Sequence, residues 1–125
     1  MKTRYLDLPQ VIELHHRQID QFGGTTGIRD AGLIEAALLR PQTGYYHDLI
    51  EEAAALWEST TMNHGFVDGN KRVGFACLYT FLGLNGLRIS ATSDQTLKFI
   101  VDQLDAGSFT KDILDAWLRQ NTKRR

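Results

Sequence analysis

The run VGFACLYTFLGL, Val73 to Leu84, constrains this chain more than any other stretch. It is too short to span a bilayer and it carries glycines, so it reads as a buried helix. A helix that is apolar on nearly every side has to be central, with other helices packed round it. The rest of the chain supplies them. The dominant period is helical from end to end, and no linker, repeat or low-complexity segment divides it. The expectation is one all-α domain over residues 1–125.

The first helix is expected from Leu8 to Phe22, with Val11, Leu14, Gln18, Ile19 and Phe22 on one face. Asp7 can cap it, Pro9 is tolerated in its first turn, and Gly23-Gly24 ends it. After the loop GGTTGIRD, Asp30 caps AGLIEAALLR, which stops before Pro41. PQTGYYHD is turn-like, and a third helix runs from Leu49 to Met62 through Leu49, Ala53, Leu56, Trp57 and Thr60. The apolar helix spans Asn70 to Leu84 and stops at Asn85-Gly86. LRIS is a short extended link. Ser93 is expected to cap DQTLKFIVDQLD, with Leu97, Ile100, Val101 and Leu104 facing inward. The last helix, Thr110 to Gln120, turns Ile113, Leu114, Trp117 and Leu118 to the core, and the tail TKRR is expected to fray.

Composition excludes several function classes. A net charge of −1 gives no global field for nucleic acid or membrane. Cys77 is the single cysteine, so no internal disulfide is possible. The start, MKTRYLDLPQ, lacks the apolar core of a signal peptide, and the cytoplasm is the expected location. His15 and His16 are adjacent on a helix and so point about 100° apart, which argues against a metal pair; His15 is expected to be partly buried beside Leu14. His47, Glu51, Glu52 and the terminal basic residues read as solvated. Cys77, Trp57 and Trp117 read as core.

The chemistry concentrates in HGFVDGNKR, residues 64–72, immediately before the apolar run. A helix beginning near Asn70 presents unpaired N–H groups and a partial positive charge at its start. Lys71 and Arg72 add two formal charges there, at a cost of roughly 0.3 to 1 kcal/mol each in a free helix. An anion resolves the conflict. A phosphate would be held by backbone N–H groups, by the Asn70 amide and by the two cations. Asp68-Gly69 gives the turn, and Gly69 lets the chain approach a ligand closely. Asp68 is the hard oxygen ligand for Mg²⁺ accompanying the phosphate. His64 is the candidate base, able to accept a proton near neutral pH, and Phe66 is the apolar anchor of the loop. These residues point to phosphoryl or nucleotidyl transfer to a hydroxyl.

The same residues resemble the signature of the Fic/Doc superfamily, H-x-F-x-[DE]-[GA]-N-x-R, at His64, Phe66, Asp68, Gly69, Asn70 and Arg72. FGGTTGIRDAGLIEAALLRP resembles the early region of the Doc (death-on-curing) branch. The resemblance implies a small helical bundle of the Fic fold, with the motif loop leading into the central helix. It implies His64 as general base, Asp68 as Mg²⁺ ligand, and Asn70 and Arg72 on the phosphates of ATP. It further implies that Tyr45 and Tyr46 lie in a flap that registers a target segment by main-chain pairing.

Two positions depart from the commonest form of the motif. AMP-transferring relatives carry a second glycine after the asparagine and a second arginine three residues after the first; here those positions hold Lys71 and Phe75. A lysine at the first position resembles Doc, which binds ATP in the reversed orientation and transfers the γ-phosphate. The resemblance thus implies a kinase acting on a threonine of elongation factor Tu, restrained by an antitoxin whose disordered end folds onto the toxin. The self-inhibitory pattern [ST]-x-x-x-E-[GN] is absent from the chain, so restraint has to come from another chain. The alternatives are an AMP transferase and a nucleotide-binding regulator without turnover. The intact pair His64 and Asp68 argues against the second.

Overall fold

The computed structural model describes residues 2–125. It is built of six α-helices: α1 (Leu8–Phe22), α2 (Ala31–Leu39), α3 (Leu49–Met62), α4 (Asn70–Leu84), α5 (Ser93–Asp105) and α6 (Lys111–Asn121). A 3-10 turn, Arg40–Gln42, follows α2, and two short strands, β1 (Leu87–Ile89) and β2 (Thr122–Arg124), complete the described chain.

The centre is a pair of helices. On α4, Val73, Gly74, Cys77, Leu78, Phe81 and Leu82 are buried. Beside it, α3 buries Ala53 through Trp57 without a break, and then Ser59, Thr60 and Thr61. Small residues let the two backbones approach. A Cβ on Gly74 would collide with Thr61 Oγ1 and lie 3.1 Å from Thr61 Cα. α1 lays Val11, His15 and Ile19 against this pair, and α6 adds Leu114 and Leu118. Trp57 is the hub of an aromatic cluster with Phe75, Phe99, Phe109 and Trp117 at ring-centroid distances of 5.3–6.3 Å.

Local signals explain most boundaries. Asp7, Asp30 and Asp48 each accept the N–H of the residue three positions on, at the starts of α1, α2 and α3. The cap of α5 is Thr92 rather than Ser93: its side chain accepts from Gln95 N while Gln95 reaches back to the Thr92 N–H. That reciprocal pair outcompetes the single bond Ser93 could make.

Four further expectations are corrected. The tail does not fray, because Thr122, Lys123 and Arg124 pair antiparallel with Ile89, Arg88 and Leu87. On α5, Leu97 and Val101 are 61% and 45% exposed; stacking of Phe99 on Trp117 at 4.7 Å turns the inward face to Thr96, Phe99, Ile100 and Leu104 instead. Ile113 on α6 is exposed for the same geometric reason, since Leu114 and Leu118 take the buried line. Phe22 is also exposed and lies under the Arg72 guanidinium at 6.0 Å. No described helix is long and apolar enough to cross a membrane.

Candidate active site

The loop from Asn63 to Gly69 joins α3 to α4, and main-chain bonds to the segment before α2 set its shape. The Arg29 and Asp30 N–H groups both donate to Gly65 O, at 2.8 and 2.9 Å. Val67 N donates to Gly27 O at 3.1 Å, and Ile28 and Phe66 form an isolated antiparallel bridge. The fit is tight: a Cβ on Gly65 would collide with Ile34 Cγ1. Phe66 enters the core at 4% exposure, with its ring stacked 3.9 Å from the imidazole of His15.

His15 is more buried than expected, at 1% exposure, because it shares the inward line of α1 with Val11 and Ile19. Its Nε2 lies 2.7 Å from Asp68 O, so the ring acts from two sides, stacking on Phe66 and hydrogen-bonding the main chain of Asp68.

Asp68 is exposed, and both of its carboxylate oxygens accept backbone N–H groups. Thr25 N donates to Oδ2 at 3.1 Å and Gly69 N to Oδ1 at 2.8 Å. These two bonds, Thr25 first, hold its carboxyl below the ordinary carboxylate value, with the charge of Arg72 as a smaller contribution. Gly24 permits the arrangement. A Cβ there would lie 2.7 Å from Asp68 Oδ2 and 3.0 Å from Arg72 Nη2, and its φ of +119° suits glycine alone.

α4 starts differently from its neighbours. Gly69, at φ +78°, ψ +17°, occupies the N-cap position with no side-chain hydrogen bond. The first intrahelical bond runs from Val73 N to Gly69 O. The N–H groups of Asn70, Lys71 and Arg72 therefore open onto the loop, next to the Asp68 carboxylate. Lys71 is exposed.

Asn70 and Arg72 are engaged otherwise than the sequence suggests. Asn70 closes a ring with Phe66, accepting from Phe66 N and donating to Phe66 O, both at 3.0 Å. Its side chain thus shapes the loop. Arg72 donates through Nη1 to Gly23 O at 2.9 Å and to Gln18 O at 3.3 Å, tying the end of α1 to α4. Its Nη2 faces the Asp68 side of the loop across Gly24.

His64 is exposed at the near end of the loop, with φ +53°, the one non-glycine residue at positive φ among those described. Its carbonyl accepts from Arg29 Nε at 2.6 Å. Tyr45 and Tyr46 are on the turn between Gln42 and Leu49, and their hydrogen bonds run to other residues than those of the motif. Tyr45 is 79% exposed, while Tyr46 OH accepts from Arg40 Nε at 2.7 Å. Arg40 in turn reaches Glu58 and Ser59 on α3, so the tyrosine loop is anchored to the helix that ends at the motif. Its backbone carries no strand pairing.

Sequence reasoning missed Thr25, Arg29 and the site contact of His15. Their partners lie 43, 35 and 53 residues away along the chain, beyond any local pattern. The spacing Val11, His15, Ile19 was a usable signal for burial of His15.

With this geometry in place, the comparisons with known proteins are specific. Residues 5–82 match the model of the Fic/DOC family, which is more than half of the chain. The chain belongs to that family. Within it, the chain is 43% identical to "Toxin Doc" of Mycolicibacterium smegmatis, over 74% of this chain and 72% of that protein. It is 32% identical to "Protein kinase doc" of Escherichia phage P1, over 69% of this chain and 71% of that protein. Both relatives place it on the Doc toxin branch.

Proposed function

We propose that the chain is the toxin of a type II toxin–antitoxin pair and acts as a Doc-type protein kinase, transferring the γ-phosphate of ATP to a threonine or serine hydroxyl of a translation factor, elongation factor Tu, and so arresting translation. The observation that carries this reading is the uncapped start of α4, with three open N–H groups flanked by Lys71 and one exposed carboxylate. The name of the phage relative supports a kinase.

In this reading the anionic phosphates of ATP lie at the N-terminus of α4, held by the N–H groups of residues 70–72 and by the Lys71 ammonium. Asp68 is the Mg²⁺ ligand. A lone exposed carboxylate fits this ion, which is commonly held by one or two carboxylates plus phosphates and water. When bound, the ion neutralises phosphate charge. His64 removes the proton of the target hydroxyl; that oxygen bonds to the γ-phosphorus, the bond to the β,γ-bridging oxygen breaks, and ADP leaves.

AMP transfer is the competing chemistry, and Phe75 speaks against it. That position, arginine in AMP-transferring relatives, holds a half-buried ring packed edge-on to Trp57 at 6.3 Å, so no second cation comes from it. Restraint by a partner antitoxin that folds on the toxin belongs to the same proposal, as does action in the cytoplasm.

Induced expression in a bacterial host tests the reading. The intact chain should stop protein synthesis and yield phosphorylated elongation factor Tu. His64→Ala should lose roughly 10²- to 10⁴-fold in transfer rate and permit growth. Arrest without phosphorylation of any translation factor would overturn the proposal.

A further inference from the structure

We propose that Arg29 is a positioning residue for His64, acting on the main chain of the base rather than on its ring. The inference rests on the reading of His64 as the general base.

A catalytic base is ordinarily aimed by a third group hydrogen-bonded to its side chain. The His64 ring has no hydrogen-bond partner among the described residues, and the side chain is exposed. What is controlled instead is the backbone. His64 sits at φ +53°, in the left-handed region that a non-glycine residue enters only at some cost. Contacts on both sides of the residue maintain that conformation, and Arg29 supplies three of the four that follow. Its Nε donates to His64 O at 2.6 Å and its Nη2 reaches Asn63 O at 3.4 Å. Its own N–H donates to Gly65 O at 2.8 Å, and the Asp30 N–H donates to the same oxygen at 2.9 Å. Three successive carbonyls, 63 to 65, therefore point at one residue and its neighbour.

The side chain does this with one edge of a planar fork. Nε and Nη2 lie parallel and match two consecutive carbonyls, a geometry lysine cannot reproduce. Asn63 is also the C-cap of α3, where carbonyls are unpaired and the helix end carries partial negative charge, so a guanidinium is favoured there. A plain helix-capping role would account for the Asn63 contact alone. It would not account for the shorter bond to His64 O, nor for its coincidence with the one non-glycine residue at positive φ among those described.

The test uses the purified full chain with γ-labelled ATP, Mg²⁺ and elongation factor Tu, in a cycle of Arg29→Ala, His64→Ala and the double variant, with Arg29→Lys alongside. Misplacing a reacting group by about 1 Å costs up to roughly 10²-fold. Arg29→Ala should therefore lower kcat by roughly ten- to a hundred-fold, with KM for ATP unchanged. Arg29→Lys should recover part of the loss, since an ammonium can serve one carbonyl but not the fork, and it carries the test should the alanine variant not fold. In the His64→Ala background, removing Arg29 should leave the residual rate nearly unchanged, because the group it aims is already gone. An equal loss in both backgrounds, or an unaltered kcat in Arg29→Ala, overturns the proposal. A His64→Ala variant that retains full activity overturns the base assignment first and this proposal with it, a result distinct from either of the others.

Discussion

Asp68 illustrates how much of the site rests on single hydrogen bonds. Its carboxyl is held below its ordinary value by the Thr25 and Gly69 N–H groups, so the charged form is favoured in the folded chain. A depressed carboxylate stabilises the fold fully above its unfolded value, about pH 4, and that contribution is lost as pH falls through the lower folded value. The denaturation midpoint of the wild type relative to Asp68→Asn should stay constant from neutral pH down to about 5 and shrink below about 4. The same variant should lose Mg²⁺-dependent turnover at neutral pH. Turnover that survives both Asp68→Asn and chelation would remove Asp68 from its assigned place. His15 offers a second test at this scale. His15→Phe keeps the stack on Phe66 and leaves Asp68 O unpaired, at a cost of about 1–3 kcal/mol in urea unfolding. A change near zero would mean that water replaces the imidazole. His64, Asp68 and Gly69 were legible in the sequence as candidates because they are contiguous in HGFVDGNKR. The supporting bonds of Asn70 and Arg72 to the main chain were not, since residue type announces a donor without saying which acceptor the fold brings to it.

Among the elements, α3 and α4 decide the position of the motif loop, which links them. Their close approach depends on Gly74 against Thr61, whose buried Oγ1 has no hydrogen-bond partner. Gly74→Ala gains about 1 kcal/mol in helix propensity, yet the added methyl has no room. Net destabilisation of about 1–3 kcal/mol is expected, as for other overpacked cores. Thr61→Ala in the same chain should recover part of it, and a more stable single variant would contradict the packing described. Helix existence and most boundaries were readable from period and caps: Asp7 and Asp30 do what their positions suggest, while the Asp48 cap of α3 emerged only from the structure. Orientation was less readable. The apolar line of α5 is ambiguous between Leu97–Val101 and Phe99–Ile100, and stacking on Trp117, a residue of another helix, chooses the second. The tail carried no strand signal of its own; Thr122–Arg124 becomes ordered through the edge that β1 presents.

Over the whole molecule, one interior holds two loops together at the start of α4, and Cys77 reports on that interior. The thiol is fully buried, and burial pushes its pKa up to about 12. Alkylation at pH 8 should therefore proceed only through opening of the fold, and its rate should follow global stability across the variants above. Fast labelling of native protein would show that the centre opens locally. In the proposed kinase, ATP lies across the motif with its γ-phosphate toward His64, Lys71 at the helix start and Phe75 turned into the aromatic cluster. Purified protein incubated with elongation factor Tu, Mg²⁺ and ATP labelled at either the α- or the γ-phosphate tests it directly. Label is expected from the γ-position alone, with a gain in target mass of one phosphoryl group; label from the α-position would overturn this orientation and make the chain an AMP transferase.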